Sequence, residues 1–184
     1  MITNWTYIIP GYTQTAGTRT RLIDLWERLH AESVPETDAV LLRPWCSDWE
    51  SEAELAFRLN GAKHSIRICG YSWGAGWGAI RLCEEFKRRG LTVEKLTLID
   101  PVHRHPNPLR RWRSLFPSMV PVRLPANVGQ VSVFAQHLNW PRAHRVLRGV
   151  VEISPHVVLC THDNMDDAPE VIDECYQFLR KSDG

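Results

Sequence analysis

The chain has 184 residues, 43% apolar and 23% charged, with a formal net charge of +1. That composition excludes a disordered chain, and the length suits one domain that buries roughly 70% of its unfolded surface. The near-zero charge gives no electrostatic reason to expect nucleic acid or a membrane surface as partner. In chain order, Tyr7-Ile8-Ile9 closed by Pro10-Gly11 reads as a first strand. Leu22, Ile23, Leu25, Trp26 and Leu29 have the spacing of one helix face, and Val40-Leu41-Leu42 is a second strand. Ser47-x-x-Glu50 has the form of a capping box, opening a helix that carries Leu55, Ala56 and Leu59 and stops at Gly61. Ile66 to Cys69 is a third strand and runs directly into a glycine cluster.

Beyond the cluster, Ala79, Leu82, Cys83 and Phe86 form a helical face ended by Arg88-Arg89-Gly90. Leu96 to Ile99 is a fourth strand, ending at Asp100-Pro101, and Val131 to Ala135 a fifth. A sixth lies within Val150 to Cys160, with Ser154-Pro155 a possible break. Asp167-x-x-Glu170 then opens a terminal helix carrying Val171, Ile172, Cys175 and Leu179. Strands alternating with helices predict an α/β fold, a three-layer α/β/α sandwich with a mostly parallel sheet of about six strands. No internal repeat or linker marks a second domain within 1–184. Five widely spaced cysteines, an odd number, suit a reducing compartment; no signal-peptide pattern or run of 18 apolar residues is present, so a cytoplasmic protein without a membrane span is expected.

Residues 68–78 read ICGYSWGAGWG, four glycines, two tryptophans and one serine in eleven positions. Such a stretch suits backbone that bends sharply or admits a close approach. Two chemistries use it. Gly74-x-Gly76-x-x-Ala79 has the form of a dinucleotide fingerprint, and the next strand ends in an acid, Asp100. Against that reading, Tyr71-Ser72-Trp73 separate the strand from Gly74, and two strand-helix units precede this one. Gly70-x-Ser72-x-Gly74 has instead the form of a nucleophile elbow, where small residues flank a serine on a tight strand-to-helix turn. A serine hydroxyl needs a base within hydrogen-bond reach and a carboxylate to orient that base.

At these residues the chain resembles the α/β-hydrolase superfamily, and the resemblance covers nearly its whole length. Family members order their triad as serine, acid, histidine. The resemblance implies Ser72 as nucleophile, Asp100 at the end of the fourth strand as acid, and His162 before the last helix as base. The Pro10-Gly11-Tyr12 turn is similar to the family's His-Gly turn, which implies the amides of Tyr12 and Trp73 as oxyanion donors. Three departures stand out: the family's usual first two strands are absent, Pro10 replaces a frequent histidine, and the usual place of the acid reads Gln136-His137-Leu138-Asn139-Trp140, without a carboxylate. Some members, thioesterases among them, carry the acid one strand earlier, where Asp100 stands.

The implied activity is cleavage of a carboxylic ester or thioester by a serine hydrolase with no cofactor and no metal. Its partner would be a small-molecule substrate, anionic if the connector arginines meet it, and not nucleic acid. The alternatives are the dinucleotide-binding oxidoreductase domain and a non-catalytic hydrolase-fold protein. On the latter reading Ser72 is only small, Asp100-Pro101 only begins a turn, and His162 only caps or packs; Asp163 is solvated or a cap in either case. Trp73 and Trp77 read as packing around the elbow, with Trp73 also able to wall an acyl pocket. Residues 101–127 hold five arginines (Arg104, Arg110, Arg111, Arg113, Arg123) and no acid, with Leu109, Trp112 and Phe116 on one helical face. This connector is either a packed helix with a basic side or a small lid in which Arg110, Trp112 and Arg113 meet the substrate.

Overall fold

Short runs of β-branched and aliphatic residues, the first three each followed by a helix, build one parallel sheet. The computed structural model describes residues 2–12, 20–103, 109 and 120–180, with only the backbone of residues 60–63. The first half runs β1 (Ile2–Ile9), α1 (Arg21–Ala31), β2 (Asp38–Leu42), α2 (Trp49–Leu59) and β3 (Asn60–Tyr71). A π-helical turn (Gly74–Ala79) then leads without a break into α3 (Ile80–Arg88). The second half contains β4 (Val93–Ile99), β5 (Val122–Arg123), β6 (Val128–Ala135), β7 (Val146–Arg148), β8 (Val151–Glu152), β9 (His156–Val157), a 3₁₀ turn (His162–Asn164) and α4 (Pro169–Leu179).

Six strands form the main sheet in the order β2-β1-β3-β4-β6-β9, and all five pairings are parallel. The α/β class and the six-strand sheet expected from the sequence are therefore observed, in an architecture compatible with an α/β-hydrolase. From β1 the chain moves outward to β2, then returns through α2 to β3 on the other side of β1. This reversal opens a crevice at the carboxyl ends of β1 and β3, where open α/β sheets hold their ligands.

Side-chain alternation along the strands splits the core in two. Tyr7 and Ile9 of β1, Ile66 and Ile68 of β3 and Leu98 of β4 pack with Trp49, Ala53 and Ala56 of α2 and Leu82, Cys83 and Phe86 of α3. Ile8, Cys69, Tyr71, Ile99 and Phe134 face the other way, onto Leu22, Leu25 and Leu29 of α1 and Val171, Ile172, Cys175 and Leu179 of α4. The sheet is thus covered on both faces, as near-continuous apolar strands require.

Several local expectations shift. The cap of α2 is Asp48 and not Ser47: Asp48 Oδ1 accepts the Ser51 amide at 3.2 Å, while the Ser47 hydroxyl donates to the Pro44 carbonyl. Asp167 does not open α4, since its Oδ1 accepts the first amide of α1, at Arg21, and α4 begins at Pro169 after Ala168. The carboxyl end of α4 is met by two cations from the sheet, Arg67 bonding the Leu179 carbonyl at 3.1 Å and Lys95 that of Arg180 at 3.2 Å. The expected strand between Val150 and Cys160 is two pieces: β9 closes the main sheet, and β8 joins β5 and β7 in a three-stranded sheet absent from the sequence reading. Strands of two or three residues carry too few positions for a period of two to show.

If Asp48 caps α2, Asp48→Ala lowers the thermal unfolding midpoint, and Ser47→Ala lowers it less. Equal midpoints for the two variants count against the assignment.

Candidate functional site

The carboxyl ends of β3 and β4 carry the two non-glycine residues with positive φ among the described residues, Ser72 at 53° and Asp100 at 43°. A side chain in this region costs about 1–3 kcal/mol and persists only where its surroundings over-determine it. At Ser72 they do. Its amide donates to the Ile99 carbonyl at 2.9 Å, and its carbonyl accepts from Ala75, Gly76 and Val102 at 3.1, 2.9 and 3.0 Å. Glycine makes the turn possible by close approach: a Cβ on Gly70 would lie 2.7 Å from Ala75 Cα, and one on Gly74 only 2.1 Å from the Ile9 carbonyl oxygen and 2.5 Å from that of Pro10. Gly74 is thus small because the end of β1 crosses it, a reason outside the elbow's own five residues.

Ser72, Asp100 and His162 are brought together, all buried. Ser72 Oγ lies 3.0 Å from His162 Nε2, and His162 Nδ1 lies 2.5 Å from Asp100 Oδ2. An ionised carboxylate only accepts, so the bond to Asp100 assigns the proton to Nδ1 and leaves the Nε2 lone pair facing the serine hydroxyl. The backbone of His162 is held as well: its carbonyl accepts from the Tyr71 hydroxyl at 2.7 Å, and the Tyr71 ring stacks on the imidazole at 5.3 Å. Burial, with the charges of Asp166 and Asp100 adding to it, pushes the Tyr71 hydroxyl well above its ordinary value, so it stays a donor across the physiological range. Asp163 is exposed in the 3₁₀ turn.

The segment after β6, in which the sequence offers no carboxylate, nevertheless contributes to the site. Gln136 is fully buried; its amide donates to Asp100 Oδ1 and its Nε2 to Asp100 Oδ2, each at 3.2 Å. Asn139 Oδ1 accepts the His162 amide at 2.7 Å. Sequence reasoning examined these positions only for an acid and passed over neutral donors and acceptors.

Tyr12 and Trp73, the expected oxyanion residues, stand beside the serine. A Cβ added to Gly11 would lie 3.1 Å from Ser72 Cβ, and Trp73 follows Ser72 at the start of the π-helical turn. Their rings pack at 4.4 Å between centroids, and Trp45, which the sequence did not single out, joins both at 5.7 and 5.2 Å. Trp77 lies against His103 and beneath the Arg81 guanidinium. Arg110, Trp112 and Arg113 lie outside the described residues, as does most of the connector expected to form a lid. Among the described residues no group of three or more His, Cys, Asp or Glu side chains is placed to hold a metal ion, and no helix is long and apolar enough to cross a membrane. Neither the models of known protein families nor the curated proteins contain a match to this chain.

Because β1 is hydrogen-bonded on both sides, it cannot retreat from a Cβ at Gly74. Gly74→Ala therefore destabilises by about 3 kcal/mol or more, at or beyond the upper end of overpacking costs. Gly149→Ala, at a φ of 63° with open space around it, costs only about 1–2 kcal/mol. Denaturant unfolding of both variants checks the difference.

Proposed function

We propose that the protein is a serine hydrolase of the α/β-hydrolase type, cleaving a carboxylic ester or thioester through an acyl-enzyme. One observation carries the reading: Ser72 Oγ, His162 and Asp100 form a continuous hydrogen-bonded relay, with separations of 3.0 and 2.5 Å, at the carboxyl ends of adjacent strands. In the first half-reaction Ser72 Oγ attacks the carbonyl carbon while Nε2 takes the hydroxyl proton. The tetrahedral oxyanion collapses, the bond to the alcohol or thiol oxygen or sulfur breaks, and Nε2 returns its proton to that leaving atom. Water then repeats the sequence on the acyl-serine, releasing the acid and restoring Ser72. Asp100 maintains the tautomer and balances the imidazolium charge.

The amides of Tyr12 and Trp73 are the oxyanion donors of this reading. The second belongs to the first turn after the serine, where helix amides present partial positive charge. The anionic-substrate idea rests on the connector arginines alone, and the cytoplasmic location on the odd number of widely spaced cysteines.

The dinucleotide alternative meets a steric objection. The space a pyrophosphate needs beside the fingerprint glycines is filled by the chain itself, since a Cβ on Gly76 would stand 2.3 Å from the Val102 carbonyl oxygen, and Gly74 faces the end of β1. Asp100, which that reading assigns to a ribose, is fully buried and engaged with His162. A fold kept only for binding gives no reason to hold both Ser72 and Asp100 at positive φ, where glycine or asparagine costs less.

Wild-type protein is expected to hydrolyse short p-nitrophenyl esters and to react with a fluorophosphonate probe. Ser72→Ala should lose labelling and at least about 10^4-fold in kcat while staying folded. Equal turnover by the two proteins refutes the mechanism. Asp100→Asn should lower kcat by up to about 10^4-fold through the wrong tautomer. Asp163→Asn, at an exposed position, should change it far less, and a greater loss there would reassign the acid.

A further inference from the structure

Gln136 is the first residue beyond β6, the strand between β4, which ends just before Asp100, and β9, which leads to His162. Its carboxamide has a determined orientation. Oε1 accepts the amides of Leu138 and Asn139 at 2.8 and 3.1 Å, while Nε2 faces Asp100 Oδ2, the Asn139 carbonyl and the Pro141 carbonyl at 3.2, 3.2 and 2.9 Å. Exchanging the two ends would aim an oxygen at three acceptors and an NH₂ at two donors, so the flipped state is excluded.

Two consequences follow from one side chain. The backbone amide and Nε2 of Gln136 hold both oxygens of Asp100, which sets the carboxylate plane and leaves Oδ2 directed at His162 Nδ1. The same carboxamide folds residues 136–141 into a closed turn, and that turn presents Asn139 Oδ1 to the amide of His162 at 2.7 Å. The base is therefore held at both ends of its connection to the site, through Asp100 at the ring and through Asn139 at the backbone. A side chain that merely filled this buried space would be apolar; this one uses its donor and acceptor groups on the site and its supporting turn.

We infer that Gln136 and Asn139 are positioning residues of the relay, acting through Asp100 and His162 to keep the imidazole aligned between carboxylate and nucleophile. The inference rests on the hydrolase reading above. Its physical basis is that small misplacements of catalytic groups carry large rate penalties.

The test uses the full-length protein, a short p-nitrophenyl ester and a fluorophosphonate probe. Gln136→Glu preserves shape and the Oε1 acceptor but replaces the donor facing Asp100 with an oxygen. It should lower kcat about tenfold to a hundredfold, with KM nearly unchanged and a slower probe reaction that still reaches full stoichiometry. Asn139→Ala should lower kcat about tenfold, and Asn139→Asp, which retains an acceptor for the His162 amide, should restore most of it. Full stoichiometry separates misalignment from a loss of folded protein. Should Gln136→Glu fail to fold, the two Asn139 variants decide: a tenfold loss recovered in Asn139→Asp supports the inference, and wild-type kcat in Asn139→Ala overturns it. An active wild type with unaltered kcat in the folded variants overturns the role of Gln136 and Asn139 alone, whereas an inert wild type overturns the hydrolase reading together with it.

Discussion

A carboxylate with no exposed surface is tolerable in a protein interior only where donors replace the water it has lost. Asp100 is such a group, and it receives the Gln136 amide, the Gln136 side-chain nitrogen and His162 Nδ1. Much of the surrounding architecture meets that requirement. β6 must run beside β4 so that the first residue past its end reaches Asp100, and β9 must follow β6 so that the next turn delivers a histidine. The Asp100 amide itself bonds the Phe134 carbonyl, so the sheet ladder continues up to the site and holds its floor rigid.

The second constraint is backbone crowding at the crevice between β1 and β3. The end of β1, the turn after β3 and the segment after β4 converge there so closely that Gly74 and Gly76 admit no Cβ. That crowding stabilises the positive φ of Ser72, because its carbonyl collects amides from Ala75, Gly76 and Val102, two following it in sequence and one from beyond the next strand. Strain at Ser72 is thus sustained by tertiary packing. The π-helical turn begins two residues after the serine, and such wide turns are frequent at functional sites.

On the proposed hydrolase reading, the acid comes from the end of β4 rather than from the segment after β6. Neighbouring parallel strands end within reach of one histidine side chain, so the carboxylate can come from either. With Asp100 just past β4, the position after β6 is available to a neutral amide that both donates to the carboxylate and closes its own loop. The rings of Tyr12, Trp45 and Trp73 pack together from three segments distant in sequence, the last of them next to Ser72 in the chain.

Local patterns determined much of this protein by themselves. Apolar runs bounded by glycine and proline are enough to place β1, β3, β4 and β6, and helical spacing places α1, α3 and α4, because burial on one face imposes a period that survives in a single sequence. Of the stripe read for α2, only Ala56 is buried, while Leu55 and Leu59 are exposed and Trp49 and Ala53 complete the buried face. The triad candidates were legible for a similar reason: a serine between glycines at a strand-helix boundary, followed in order by an acid at a strand end and a histidine before a helix. Where sequence reading failed, the deciding contact came from elsewhere in the chain. Asp48 and Ser47 are equally good caps on paper, and only the backbone path selects Asp48. Asp167 suits a cap for α4, yet packing turns its carboxylate to the start of α1. Gln136 and Asn139 carry no motif at all, since a neutral amide becomes part of a site only when the fold puts a buried carboxylate and a histidine backbone within about 3 Å of it.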